Sequence, residues 1–271
     1  MRALPLTLAL TLATLPGPAP QAASGCARDA MLVFDGSGSM DEVGHDATAP
    51  TRIIDARRAV REAMPDIAPY RRVGLLTYGP GGAHACSGIN LRFAPRADAG
   101  AAVVAGIDTL SPGGLTPLAA SVRAAVEVLG EDGIVVLVTD GNETCGGTPC
   151  ALSAHLAETA PGLTVHVIGF RVVYDPFSWN SPEAGDYDGQ TVAKCLADAT
   201  VGLFVSTETV DELSDALRVT LGCLVVGKNY GPLFSFSGQE VSISNAREAS
   251  SGNNALLKIA IDTPSRYVNL R

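Results

Sequence analysis

The sequence predicts an α/β protein with a doubly wound, mostly parallel six-stranded sheet, one antiparallel edge strand and a small C-terminal β appendage. Three observations lead there. Runs such as Met31-Leu-Val-Phe34 and Ile134-Val-Val-Leu-Val138 are apolar on both faces, as strands buried between two helical layers are. Stretches of helical period separate these runs. Polar residues with metal or ligand chemistry stand directly behind two of the runs, where open α/β sheets bind their ligands.

Taken in order, residues 30–34 form the first strand, and Ile53, Ile54, Val60, Met64 and Ile67 recur at helical spacing. Residues 73–78 give a second strand. Ile89, Leu91 and Phe93 alternate with Asn90 and Arg92, which suits an edge strand with one wet face. Ala-rich helices are predicted at 97–110 and 116–129, flanking Ser111-Pro-Gly-Gly-Leu-Thr116-Pro117. Proline at the first turn marks Thr116 as a helix start, and its hydroxyl is free to be aimed across a crevice. A strand at 134–138, a helix near 149–159 and a strand at 163–170 follow. A helix near 190–199, a strand at 203–205 and a helix at 209–221 close the series.

The 271 residues divide into three parts. Residues 1–23 combine Arg2, a short apolar run from Leu4 to Leu15 and a small-residue exit, the pattern of a secretory signal peptide. Residues 24–223 form the main domain. Residues 224–271 carry alternating apolar residues between Gly and Ser/Asn turns, a small β unit too short for a core of its own. The predicted location is therefore periplasmic or secreted. Small residues ahead of Cys26 also allow a bacterial lipid anchor, although the polar, Pro-rich gap after Leu15 favours ordinary cleavage. No later stretch is long and apolar enough for a transmembrane segment.

The formal charge is −9, and no Lys/Arg stripe occurs, which argues against nucleic acid as a partner. Six cysteines, Cys26, Cys86, Cys145, Cys150, Cys195 and Cys223, make an even count in an exported chain and are read as disulfides. Zinc ligation is disfavoured: Cys145 and Cys150 are separated by four residues, and no second pair of similar spacing occurs. His45, His84, His155 and His166 share no ligand spacing.

The most informative segment is Asp35-Gly-Ser37-Gly-Ser39, which leaves the first strand as a loop of oxygen donors on alternate residues. Hard divalent cations favour such donors. Asp140, in Val136-Leu-Val-Thr-Asp140-Gly, ends a second central strand, so both carboxylates face one crevice if the strands are neighbours. Asp35-x-Ser37-x-Ser39, then Thr116 in a GxTPL-like turn, then Asp140-Gly, resembles a von Willebrand factor A-type domain over roughly residues 28–222. The resemblance implies a metal-ion-dependent adhesion site for Mg²⁺, Mn²⁺ or Ca²⁺. It casts Ser37 and Ser39 as direct ligands, Thr116 as a direct or water-mediated one, and Asp35 and Asp140 as largely water-mediated anchors. It also implies a protein partner that presents Asp or Glu to the ion. The Cys-containing loop after Asp140 is similar to that of a bacterial exported subgroup. Within that domain a Cys26–Cys223 bridge would fasten the termini, and the pairing of the other four cysteines stays open.

Two insertions extend the same predicted rim, Asp41 to Asp46 and Asp175 to Gly189. The second carries Trp179, Asp186 and Asp188, candidates for partner contact; Asp186-Tyr-Asp188-Gly is only a fragment of a calcium loop. Neither the G-x-S-x-G of serine hydrolases nor a phosphate-binding loop is present, so a binding protein, not an enzyme, is expected. The alternatives are a metal-dependent hydrolase at the same site and a module in which the metal only stabilises the fold. The exported form is expected to start near residue 24 and to carry no lipid; intact mass checks this, and a diacylglyceryl increment on Cys26 would overturn it.

Overall fold

The computed structural model describes residues 26–43, 48–81, 84–172, 183, 193–223 and 267–269. Six strands, β1 (Ala30–Asp35), β2 (Val73–Tyr78), β3 (Asn90–Arg96), β4 (Asp132–Thr139), β5 (Gly162–Phe170) and β6 (Phe204–Thr207), build the expected sheet. The order is β3-β2-β1-β4-β5-β6, parallel throughout except for the antiparallel β2–β3 edge pair. A short strand, β7 (Tyr267–Asn269), pairs parallel to β6 and adds a seventh member. This is the described part of the C-terminal segment, and it extends the main sheet.

Alternation along β1 builds the two layers. Ala30, Leu32 and Phe34 point into a core shared with helices α1 (Arg52–Ile67), α2 (Gly100–Asp108) and α6 (Val210–Leu221). Met31 and Val33 point the other way, toward α3 (Leu118–Leu129), α4 (Pro149–Thr159) and α5 (Lys194–Ala199). Every residue of β1 is buried, which is why its sequence is a continuous apolar run and not an alternating one.

The predicted elements fall where the structure has them, with differences at their ends. The helix expected from Thr116 starts at Leu118, because Pro117 takes the cap position with non-helical backbone angles (φ −85°, ψ 68°). Ile54 is 52% exposed, unlike Ile53, Ala56, Val60, Ala63, Met64 and Ile67. Successive helical residues are turned by about 100°, so Ile54 leaves the stripe that its neighbour Ile53 occupies. Leu91 is 48% exposed on β3, an edge strand whose pairing with β2 carries two register shifts.

The end of the sheet away from the strand C-termini is closed covalently and by one arginine. Cys26 and Cys223 are bonded across 197 residues of sequence. In chain-entropy terms a loop of that length is worth about 5 kcal/mol. The same sulfur is what a lipid thioether on Cys26 would need, so bond and anchor exclude one another. The buried Arg71 guanidinium donates to the carbonyls of Leu221, Gly222 and Arg28, satisfying the C-terminus of α6. At its other end α6 carries a reciprocal cap between Thr209 and Glu212.

Phe34→Ala is expected to cost about 3–5 kcal/mol and Ile54→Ala less than about 0.5 kcal/mol. Urea denaturation compares them, and equal losses would contradict the assignment of the buried stripe.

Candidate metal centre

The doubly wound order reverses between β1 and β4. From β1 the chain crosses to β2 on one side, and from β4 it crosses to β5 on the other. The β1–β4 register pairs Phe34 with Val138, so Asp35 and the Thr139–Asp140 pair leave the sheet side by side. That adjacency follows from strand order alone and brings residues 35 and 140 together.

Asp35 is fully buried, and both of its oxygens are committed. Its Oδ1 accepts from the Ser37 backbone N–H at 2.7 Å. Its Oδ2 accepts from the Tyr78 hydroxyl at 2.8 Å and from Thr139 Oγ1 at 2.7 Å. Donors from the adjoining loop, β2 and β4 thus converge on one carboxylate, and its role is to shape the loop that follows. Within that loop Ser37 Oγ and Ser39 Oγ are 3.1 Å apart, and Ser39 Oγ donates to Asp140 Oδ1 at 2.8 Å. Ser37 is buried, Ser39 is half-buried, and Gly38 between them is exposed, so the hydroxyl row meets solvent there.

The loops that carry these groups interlock through backbone contacts. Gly113 N–H donates to Gly36 O at 2.9 Å, and Gly38 N–H donates to Gly114 O at 3.2 Å. Gly79 has φ +104°, and a Cβ there would lie 2.2 Å from Gly36 C. Gly114 has φ +67°, and its Cβ would lie 2.2 Å from Gly79 O. Only glycine permits so close an approach of the three loops. Thr116 is 5% exposed at the start of α3, held by its N–H donating to Thr144 Oγ1 at 2.8 Å.

Two side chains of this site carry no motif signal in the sequence. Arg52, at the first position of α1, is 2% exposed. Its Nη1 donates to Ser39 O at 2.9 Å and to Glu42 Oε2 at 3.2 Å, while its Nε stands 3.7 Å from Asp140 Oδ2. Glu143 is fully buried and accepts from Ala119 N–H at 2.9 Å and Cys145 N–H at 2.8 Å, joining the loop after β4 to the first turn of α3.

Asp140 Oδ2 is buried and lacks a hydrogen-bond partner. Arg52 Nε opposite it is in the same condition, and 3.7 Å is beyond hydrogen-bond reach. A buried carboxylate oxygen left without a hydrogen bond is costly, so its retention beside a row of hydroxyls fits a cation. The candidate donors are all oxygen, the Asp35 and Asp140 carboxylates and the Ser37 and Ser39 hydroxyls, with Thr116 as a further hydroxyl on the adjoining loop; such a set would suit Mg²⁺, Mn²⁺ or Ca²⁺. Among the described residues no group of three or more His, Cys, Asp or Glu could hold a metal, so any ion here depends on the hydroxyls. Burial and the charge of Asp35 push Asp140 up to about 7, against the Ser39 hydrogen bond and the Arg52 charge. Burial also raises Asp35, against its hydrogen bonds.

The remaining sequence candidates separate into two groups. All six cysteines are paired: Cys26–Cys223, Cys86–Cys145 and Cys150–Cys195. Trp179, Asp186 and Asp188 lie outside the described residues, as do His45 and residues 1–25. His166 is half-buried and shifted down to about 4 by desolvation and nearby arginine charge; its Nδ1 accepts from Leu203 N–H, a structural role.

Residues 30–143 match the sequence family described as von Willebrand factor type A domain. The chain is 29% identical over 198 residues to the uncharacterised Bacillus subtilis protein YwmD, spanning 68% of this chain and 81% of that one. Three solved structures share the fold. An aerotolerance-related membrane protein from Bacteroides fragilis has a TM-score of 0.52 at 16% identity, with 72% of this chain and 98% of that chain covered. The pilus adhesin SpaC from Lactobacillus rhamnosus GG has 0.53 at 16% identity, with 72% and 30% covered. Proximal thread matrix protein 1 of the mussel byssus, whose metal-ion-dependent adhesion site is occupied by zinc, has 0.50 at 18% identity, with 73% and 46% covered. At these identities the likeness to the solved structures is one of fold. Family match and fold together support a von Willebrand factor type A domain here.

The raised carboxyl groups make a signed prediction for cation-free protein. Asp140 binds its proton more tightly folded than unfolded, so its contribution is full below about pH 4 and is lost as pH rises through about 7. Asp140→Asn is therefore expected to gain in melting temperature relative to wild type between pH 4 and pH 7 in chelator. A difference that does not change with pH would contradict the buried, charge-opposed setting of Asp140.

Proposed function

We propose that this chain is an exported, metal-dependent protein-binding module of the bacterial envelope or exterior. A divalent cation, Mg²⁺ in the first instance, is held by Ser37, Ser39 and Thr116 with Asp35 and Asp140 behind them. The observation that carries this reading is the buried Asp140 Oδ2, without a hydrogen bond, beside the hydroxyl row. When bound, the ion supplies a positively charged coordination position that a partner's Asp or Glu can fill.

The chain's own residues account for the division of labour. Asp35 accepts from three protein donors and so fixes the Ser37–Ser39 loop. Ser37, Ser39 and Thr116 are neutral donors, which leave a dication's charge poorly quenched. Arg52 adds a fixed positive charge behind Asp140, further reducing the net negative charge of the pocket. An anionic oxygen arriving at the open, solvent-facing side by Gly38 is thereby favoured.

Residues 1–23 would direct export and leave residues 24–223 as the binding domain, with β7 of the C-terminal segment paired at its sheet edge. The fold neighbours include a pilus adhesin and a byssus matrix protein, which accords with interaction and not turnover. Among the described residues no helix is long and apolar enough to cross a membrane. The acidic rim with Trp179, Asp186 and Asp188 is assigned to partner contact on sequence grounds alone.

Mg²⁺ or Mn²⁺ titrated into chelator-stripped protein is expected to bind the wild type. Asp140→Ala and the double variant Ser37→Ala/Ser39→Ala are each expected to lose roughly tenfold or more in affinity. Partners crosslinked from envelope fractions are expected to disappear with EDTA and with Asp35→Ala. Recovery of the same partners with EDTA present would refute metal-bridged recognition.

A further inference from the structure

Thr116 is the ligand candidate that depends most on a distant part of the chain. Its own loop is short of side-chain anchors and is held from two sides. On one side, Leu115 N–H donates to Ala85 O at 3.0 Å. On the other, Thr116 N–H donates to Thr144 Oγ1 at 2.8 Å, and Thr144 N–H returns to Thr116 O at 3.0 Å. The next residue after each holding group is a half-cystine, Cys86 after Ala85 and Cys145 after Thr144, and these two are bonded to each other. The strap 143–145 is fixed further by Glu143, whose carboxylate joins Cys145 N–H to Ala119 N–H in the first turn of α3. Thr116 is thus gripped by two segments that a single disulfide closes into a ring.

The three bridges differ in access. Cys86 is exposed and Cys145 half-buried, whereas Cys195 is 4% exposed and Cys26, Cys150 and Cys223 are half-buried. Of the six half-cystines Cys86 is the one that falls among the exposed residues, which makes its bridge the most open to a thiol from solvent.

We propose that the Cys86–Cys145 disulfide is a redox latch on the cation site, holding Thr116 in place when closed and weakening divalent-cation binding when opened. This rests on the reading of Thr116 as a cation-binding hydroxyl. The chemistry is thiol–disulfide exchange with an external dithiol. Its thiolate attacks Cys86 Sγ, the Cys86–Cys145 bond breaks, and Cys145 leaves as a thiolate that takes up a proton. The second thiol of the reductant then resolves the mixed disulfide and releases Cys86. Two electrons pass to the protein, which ends with two thiols, and the reductant ends as a disulfide. Opening the ring removes the covalent link between the segments that accept the Leu115 and Thr116 N–H groups, so that both hydrogen bonds open more readily.

The test uses the full exported chain, stripped of metal by chelator. Mn²⁺ affinity is measured calorimetrically, and amide exchange at Leu115 and Thr116 is measured in the metal-free state. Cys86→Ser/Cys145→Ser is expected to lose roughly tenfold or more in Mn²⁺ affinity and to lose protection at both amides. Thr144→Val, which removes the Thr116 acceptor and leaves the disulfide intact, is expected to show the same loss at Thr116, with Thr144→Ser restoring it. Cys150→Ser/Cys195→Ser is expected to bind Mn²⁺ as wild type does. Graded dithiol treatment followed by alkylation is expected to label Cys86 and Cys145 first. Wild-type Mn²⁺ binding with unchanged affinity in Cys86→Ser/Cys145→Ser and Thr144→Val would overturn the latch and leave the metal site standing. Labelling of another pair first would overturn its redox role. Absence of Mn²⁺ binding by wild type would overturn both the latch and the reading beneath it.

Discussion

The buried carboxylate of Asp35 organises the strand ends around it. A fully buried carboxylate is tolerated only when its lone pairs are satisfied. Here the satisfying groups come from the chain's own next turn, from Tyr78 at the end of β2 and from Thr139 at the end of β4. Three parallel strands are thereby brought to a common level, and the Ser37–Ser39 loop receives its conformation as a by-product. Asp140 follows Thr139 directly, so the same contact that settles Asp35 also delivers the second acid. The arrangement brings two carboxylates close together: burial raises both, and the charge of Asp35 adds to the rise at Asp140.

The opposite end of the sheet has a different character. It is sealed by Arg71 against the α6 carbonyls and by the Cys26–Cys223 bond, with no comparable gathering, among the described residues, of buried groups lacking a hydrogen bond. Of the six buried side-chain atoms without a partner among the described residues, four belong to Thr51, Arg52, Asp140 and Asn142, which form or adjoin the site in sequence. Unsatisfied polarity is therefore concentrated at the strand C-termini, where a ligand can meet it, while the base is satisfied within the protein.

How much of this the sequence discloses depends on how local each contact is. Asp35, Ser37 and Ser39 share one five-residue turn behind an apolar run, so their convergence is written in consecutive residues. Asp140 is legible because Ile134–Val138 is apolar on both faces and must be central. Thr116 is legible through Pro117, though the helix itself begins two residues later. Arg52 and Glu143 are hidden for the converse reason. An arginine opening a helix and a glutamate in a polar loop ordinarily face water, and the N-terminus of a helix disfavours a cation. Their burial is decided by partners 88 and 24 positions away, Asp140 for Arg52 and Ala119 for Glu143, which no local pattern encodes. Ile54 errs in the other direction, since composition marks it as core while its angular position places it outside.

The bond between Cys26 and Cys223 has a mechanical side. It joins the two points at which the described domain begins and its last helix ends. Tension applied along the chain from either flank enters and leaves through that covalent link. The sheet and α6 then carry little of the load, whereas without the link a pull on residue 223 would peel α6 from α1 and break the Arg71 contacts one after another. A domain wired in this way can be held taut between two anchorages while the strand ends that bear Asp35 and Asp140 stay slack.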